Sequence, residues 1–140
     1  MSKRTGCHME NREVQYCTTK KQEAQLEELG ISPDSADLYR IPKVGGYRIT
    51  SEWSVNAKPC WSLAGLLAIL PQQITDKNDC LVYDRFICGD VVDYRCIDYE
   101  LYGDCYSEGT LFENIITCIK DFKEKGYISK QFIKDGDKGK

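Results

Sequence analysis

Apolar residues recur every three to four positions near both ends of the chain, which predicts two helices that each bury one face. In the first segment, Thr19 and Gln22 stand in the order of a capping box, and Gly30 supplies a left-handed stop. In the last segment, Thr110 and Glu113 repeat the capping box. The apolar face of this last helix is the broader of the two and consists of Leu111, Phe112, Ile115, Ile116, Ile119 and Phe122.

The most apolar run of the chain is KPCWSLAGLLAILPQQ, residues 58–73. Ser62 is a good N-cap and Pro71 a stop, so the pattern predicts a short helix over residues 63–70. Because this helix is apolar nearly all round, we expect it in the core; the alternative is a half-buried helix that presents a surface to a partner. Gly65 costs helical stability, which suggests a close approach to the sheet at that position.

Alternating apolar and polar residues predict strands in the remaining segments. Val44-Gly45-Gly46 is a hairpin signal, and residues 80–87 and 91–99 form a second hairpin around CGD. A third short strand is predicted within residues 100–109. The face of 80–87 that points inward stays open, since Cys80, Val82 and Phe86 compete with Leu81, Tyr83 and Ile87.

These elements follow the order α-β-β-α-β-β-β-α, which predicts an α+β fold. We expect a single antiparallel sheet of about four to five strands with the helices packed on one face. The 140 residues suffice for one domain. We place that domain at 18–128, between a flexible N-terminal arm, 1–17, and a frayed polar tail, 129–140.

Composition indicates a soluble protein of the cytoplasm. Apolar residues make up 41% and charged residues 29%, both ordinary for a globular domain. No apolar stretch follows the basic N-terminus, as a signal peptide would require, and the longest apolar run is too short to cross a bilayer. We therefore expect no membrane partner.

The eight cysteines are expected to be reduced, because no export signal places the chain in an oxidising compartment. No pair has the spacing of a zinc or redox motif. Cys7 stands beside His8, with Cys17 nine residues on, and a thiol beside a histidine can begin a metal or nucleophile site. A mobile arm offers neither rigid placement nor an orienting third group, so we predict no cofactor, and metal binding there stays open.

Several segments resemble a group of small α+β proteins common in gut Bacteroidetes and in their phages and mobile elements. The matching segments are LEELGI, SADLYR, KPCWSLAGLLAILPQQI and the final KEKGYI, within residues 22–128. Pro59, Trp61, Ser62 and Leu63 fill the group's motif before a Leu-rich helix, and Leu70-Pro71 fills its end. This chain departs from the group in its many cysteines and its longer basic arm. The resemblance implies a fold and carries over no catalytic residue, because the group has no established activity.

Charge is distributed unevenly along the chain. The net charge is −3, yet residues 79–113 alone hold nine acids and two bases. Tyrosines alternate with these acids, and tyrosine is favoured at protein interfaces as well as in strands. The candidate interface consists of Tyr83, Asp93, Tyr94, Asp98, Tyr99, Glu100, Tyr102, Asp104 and Tyr106.

The sequence therefore predicts a non-catalytic protein-binding module whose acidic, tyrosine-rich sheet face meets a basic protein surface. An acidic face argues against direct binding of nucleic acid. One alternative, motivated by the resemblance, is an inhibitor from a mobile element that mimics phosphate and blocks a nucleic-acid-binding host protein. Another is an enzyme with a thiol or a carboxylate pair such as Asp93 and Asp98. The oligomeric state stays open.

Overall fold

A computed structural model describes residues 15–134 of the chain. It confirms the mixed α+β class. The elements are α1 (Lys20–Glu28), β1 (Leu38–Lys43), β2 (Gly46–Thr50), β3 (Lys58–Cys60), α2 (Leu63–Ile69), β4 (Gln73–Thr75), β5 (Val82–Cys88), β6 (Val91–Arg95) and α3 (Leu111–Lys125). Short 3-10 turns at Pro33–Ser35 and Lys130–Phe132 follow α1 and α3.

The predicted single sheet is wrong, because the strands form two separate antiparallel sheets of three strands each. The order in the first sheet is β2-β1-β3 and in the second β4-β5-β6. In each sheet the longest strand, β1 or β5, has both edges occupied by short strands close to it in sequence. Strands β3 and β4 are only three residues long, too short for their alternation to stand out in the sequence.

The strand predicted within residues 100–109 does not form as a continuous strand. Its segment instead makes two isolated bridges to β6, Arg95 with Leu101 and Val92 with Tyr106. Gly103, with φ of +66°, lies between the two bridged positions and interrupts the extended backbone. The segment therefore follows the free edge of β6 without completing a ladder.

Both capping boxes form as predicted. The Thr19 side chain accepts from the backbone N–H of Gln22, whose side chain accepts from the backbone N–H of Thr19. Thr110 and Glu113 do the same at the start of α3. Gly126 then ends α3 with φ of +82°, a conformation that glycine adopts without steric cost.

Helix α3 lies at the centre of the molecule, in contact with α1, α2 and β6. Its buried face contains Phe112, Asn114, Ile115, Ile116, Cys118, Ile119 and Phe122. Asn114 is the polar exception. Its side-chain amide donates to the carbonyls of Asp90 and Gly109, and its side-chain oxygen accepts from the backbone N–H of Gly109. These bonds satisfy a buried amide that would otherwise be costly and fix the loop before α3.

Helix α2 is a core helix, as the sequence predicts. Leu66 and Ile69 are almost completely buried, whereas Ala64 and Ala68 face outward. The close approach expected at Gly65 is made to a side chain and not to a sheet. A methyl group at Gly65 would collide with the carboxylate of Asp37, which accepts from both the backbone N–H and the hydroxyl of Ser62. The glycine therefore makes room for the group that anchors the N-terminus of this helix.

Strand β5 directs Tyr83 and Arg85 inward, whereas Leu81 and Ile87, of the same alternation, are 41% and 38% exposed at its ends. Tyr83 is buried, and the Arg85 guanidinium donates to the carbonyls of Leu67 and Leu70 at 2.9 and 3.3 Å. These carbonyls lie at the C-terminal end of α2, where backbone acceptors lack partners within the helix. The charged Arg85 side chain thus points inward because it donates to backbone carbonyls that have no partner within the helix.

The described structure extends past both predicted domain boundaries. Before residue 18, Cys17 bridges Ser62 and the next residue, Thr18, donates its backbone N–H to Trp61. After residue 128, the Lys130–Phe132 turn leads into a bridge between Ile133 and Ile31. The remainder of the predicted arm, 1–14, and of the predicted tail, 135–140, lies outside the described residues.

Candidate functional site

The tyrosines of the predicted interface divide into four that pack inward and one that points outward. Tyr94 is 1% exposed, and its hydroxyl donates to the carbonyl of Pro71 at 2.5 Å. The Tyr83 hydroxyl donates to Asp79, the Tyr106 hydroxyl donates to Asp121, and the Tyr102 and Tyr127 hydroxyls share a bond. These hydroxyls have found partners within the protein, as buried tyrosines require. Tyr83 and Tyr94 are therefore buried in the fold, and Tyr102 and Tyr106 are partly buried against the core, so these four offer little or only part of their side chains to a partner.

Phe122 of α3 joins three of these side chains into an aromatic cluster. Its ring centroid lies 4.8 Å from that of Tyr94, 6.2 Å from Tyr102 and 5.4 Å from Tyr127. Tyr102 in turn lies 5.3 Å from Tyr83 in an edge-to-face arrangement. Such geometry is favoured by aromatic quadrupoles and holds the loop after β6 against both α3 and the second sheet.

Asp93 is likewise not an open surface charge. Its carboxylate is buried and receives two bonds from the Arg95 guanidinium, at 2.9 and 3.0 Å. Because the two residues are two apart on one strand, their side chains leave the same face of the sheet. A buried carboxylate paired in this way contributes little to the steering of a charged partner. Of the carboxylate pair predicted from the sequence, Asp93 is thus buried and paired with Arg95, whereas Asp98 is exposed.

The remaining candidates lie together on residues 97–104, which we call the acidic loop. Asp98, Glu100 and Asp104 are exposed, and no basic residue interrupts them. Tyr99 is 70% exposed between the first two acids, and its neighbour Ile97 is 88% exposed. The loop thus alternates large apolar side chains with carboxylates on a surface open to solvent.

The backbone of the acidic loop holds Tyr99 in a strained conformation. Its φ is +65°, which is rare for a bulky residue. Two backbone bonds close the turn around it, from the N–H of Tyr99 to the carbonyl of Cys96 and from the N–H of Cys96 to the carbonyl of Glu100. Strain of this kind persists only where the surrounding bonds determine it, and it is concentrated at binding and catalytic sites.

The outer side of the second sheet extends the apolar surface beside the loop. Phe86 is 40% exposed, and its ring centroid lies 6.4 Å from that of Tyr99. The Arg95 guanidinium lies 5.4 Å from the centroid of Phe86 and covers part of the ring. We refer to Ile97, Tyr99 and Phe86 with the three exposed acids as the loop surface.

Sequence reasoning missed a cleft on another part of the molecule. A cavity of about 420 Å³ opens between α1 and the first sheet and is bordered by Lys134. The residues that line this cleft are far apart in sequence, and only the packing of the fold brings them together. Arg40 of β1 forms a largely buried ion pair with Glu23 of α1 at 3.0 Å, and this pair fixes the sheet against the helix.

The seven described cysteines are free thiols, and their exposure differs sharply. Burial raises the pKa of Cys60 and of Cys118 to about 12 each, so both are protonated at neutral pH. Cys80, Cys88 and Cys105 are exposed. The fold therefore divides the thiols into a buried unreactive set and an accessible set.

Alkylation of the native protein with iodoacetamide at pH 8 is expected to modify Cys80, Cys88 and Cys105 first. With a pKa near 12, only about one Cys60 or Cys118 thiol in ten thousand is ionised at that pH, and both are also shielded from the reagent. Peptide mass spectrometry measures each site, and all eight cysteines should react after denaturation. Native labelling of Cys60 as fast as Cys88, or unreactive thiols after denaturation, would contradict the buried free-thiol assignment.

The described residues bear on two possibilities, a metal site and a helix that could span a membrane. Within residues 15–134, no group of three or more His, Cys, Asp or Glu side chains is placed to hold a metal ion. Cys7 and His8 lie outside that range, so metal binding there remains open. Of the helices in the same range, none has both the length and the apolar character needed to span a bilayer. Comparison of the chain with family models, curated proteins and solved structures found no match.

Proposed function

We propose that the protein is a non-catalytic binding module that docks another protein through the loop surface. The observation that carries the proposal is the outward placement of Tyr99 and Ile97 between exposed carboxylates. Single exposed apolar side chains are ordinary, but Ile97 and Tyr99 lie beside Phe86 on a closed, strained turn, and an apolar patch of this kind supports a role in contact with a partner.

The chemistry of the loop surface defines the kind of partner that fits it. Tyr99 supplies a rigid, amphipathic ring, the type of side chain that dominates binding energy at protein interfaces. Asp98, Glu100 and Asp104 surround it and favour a basic surface, since complementary charges accelerate encounter and disfavour acidic competitors. The partner surface that fits best is therefore a basic rim around an apolar pocket.

Neutralising the acidic loop is expected to slow association while leaving the fold intact. The variant D98N/E100Q/D104N removes three solvated charges, which contribute little to stability. The association rate with the partner captured from the native host should fall by roughly tenfold at low salt, because steering is lost. Stopped-flow or surface-based kinetics against salt concentration measure this, with Asp93 kept so that Arg95 retains its ion pair.

A matched control separates the loop from the effect of net charge. The variant E28Q/D34N/E52Q changes the net charge equally, at exposed positions in the other part of the chain. It should associate at nearly the wild-type rate, whereas Y99A should weaken equilibrium binding by roughly tenfold or more. Equal slowing by both triple variants, together with unchanged binding by Y99A, would refute the loop as the docking surface.

A further inference from the structure

The cleft between α1 and the first sheet has the size and walls of a small-molecule site. Its volume of about 420 Å³ lies within the roughly 300–1,000 Å³ typical of such sites. Three of the four prolines of the chain, Pro33, Pro42 and Pro59, line it together with Ile31 and Trp61. Trp61 is 2% exposed and its indole N–H already donates to Ser35, so it adds no free polar group to the cleft wall. These apolar residues come from three separate segments, with Lys134 as a fourth at the border, and rigid apolar walls favour a compact apolar ligand body.

The charges around the cleft have the opposite sign to those of the chain. Lys20, Lys58 and Lys134 border the cavity, and the chain as a whole carries −3. Arg40 and Glu23, also at the cavity, neutralise each other in their ion pair. Glu27 is the remaining acid of the lining, so the cleft has a cationic surplus. Such a surplus over apolar walls attracts an anionic group attached to an apolar body.

Tyr47 connects the apolar and the cationic parts of the cleft. Its ring lies 4.9 Å from the ammonium nitrogen of Lys20 and 5.2 Å from the guanidinium carbon of Arg40. The Lys20 ammonium also donates to the Tyr47 hydroxyl at 2.5 Å. These contacts place two cations at the same aromatic wall and hold Lys20 at the mouth of the cavity.

The available donors favour a carboxylate over a phosphate. Phosphate sites typically use backbone N–H groups or arginine forks, but the prolines of the walls have no N–H. Arg40 donates to Glu23 and to the carbonyl of Thr18. The lysines act as point charges, which suit a singly charged group. We propose that this cleft binds a small carboxylic acid with an apolar body, held by the prolines and Trp61 and oriented by Lys20 and Lys58.

Three probes that share a phenylbutyl group and differ in the charge of the terminal group test this assignment on the full chain. Amide NMR titrations compare 4-phenylbutyrate with 4-phenylbutanol and 4-phenylbutylamine. We expect the carboxylate to shift the amides of α1 and β3 and to bind at least about fivefold tighter than the alcohol, with the amine weakest. Equal affinities, absence of saturable shifts, or shifts confined to other surfaces would overturn the proposal.

Variants assign the effect to named side chains. K58Q and K20Q should each weaken 4-phenylbutyrate binding by several-fold at low salt, whereas K58R should preserve most of it. The control K120Q removes an exposed lysine of α3 outside the cleft and should leave affinity unchanged. A24F, which adds a ring to the lining without changing charge, should reduce binding of both the acid and the alcohol. Affinity that is indifferent to K20Q, K58Q and A24F would reject the cleft.

Two further measurements distinguish small-acid binding in the cleft from docking by the acidic loop and from self-association of the protein. The loop variant D98N/E100Q/D104N should bind 4-phenylbutyrate as the wild type does, so failure of the loop as a docking surface leaves the cleft testable. Sedimentation velocity over a concentration series provides the second. One result would overturn the small-acid assignment: self-association that persists in the presence of 4-phenylbutyrate but is abolished by K58Q or by D98N/E100Q/D104N. That result would show that the cleft receives the acidic loop of a second copy.

Discussion

Leu66→Asp is expected to yield no cooperatively folded protein. Leu66 is fully buried in α2, and an unpaired carboxylate there must either lose its hydration or take up a proton. The cost is several kcal/mol, comparable with the roughly 5–15 kcal/mol that stabilises a typical domain. Urea titration followed by far-UV circular dichroism should therefore show no cooperative transition, or one shifted close to zero denaturant.

Ala68→Asp is the matched control, because Ala68 belongs to the same helix but faces solvent. We expect a loss of about 1 kcal/mol from helix propensity and from the negative charge near the helix C-terminus. Leu67→Asp should fall between the two, since Leu67 is only partly buried against the core. A folded Leu66→Asp protein as stable as Ala68→Asp would contradict the core placement of α2.

Phe122→Ala is expected to reduce the free energy of unfolding by about 3–5 kcal/mol. Phe122 is 1% exposed and contacts the rings of Tyr94, Tyr102 and Tyr127, so truncation leaves a cavity where helix, sheet and loop meet. Tryptophan is not part of this ring cluster, so chemical denaturation followed by circular dichroism is the suitable measurement.

The control for this prediction is Phe86→Ala, which removes the same atoms from a ring that is 40% exposed. Its expected cost is about 1 kcal/mol or less, because little buried surface and no enclosed cavity are involved. If both substitutions cost the same, the aromatic cluster does not hold the acidic loop against the core. The inward assignment of Tyr94 and Tyr102 would then be wrong.

The helices were predictable from the sequence because their determinants are local. Thr19 with Gln22, and Thr110 with Glu113, satisfy backbone donors within one turn, so the residue types and spacing alone identify each helix start. Sheet membership depends on long-range choices. Nothing near Lys58 in sequence indicates that this strand pairs with the outer edge of β1, and nothing local separates the first sheet from the second.

The candidate interface was only partly predictable because tyrosine suits both a core and a surface. One pattern did carry information: Val92, Tyr94 and Cys96 alternate as an apolar set, and all three are buried. A second informative pattern is the pair Asp93 and Arg95, two opposite charges on one side of a strand, which form an ion pair. The cleft had no comparable indication, because its walls come from four segments.

The bridge between Ile31 and Ile133 also determines when folding can finish. The backbone N–H of Ser32 donates to the carbonyl of Phe132 at 2.7 Å, and that of Lys134 donates to the carbonyl of Gly30 at 2.8 Å, so two segments about a hundred residues apart meet. At roughly 5–20 residues per second, a ribosome needs about 5–20 s to deliver that length of chain. Until residue 125 is made α1 lacks α3, and until residue 134 is made it also lacks the pairing with the C-terminal segment. The nascent chain therefore completes this architecture only once residue 134 has been synthesised, and a chaperone acting on it before then would meet the N-terminal segments without their partner.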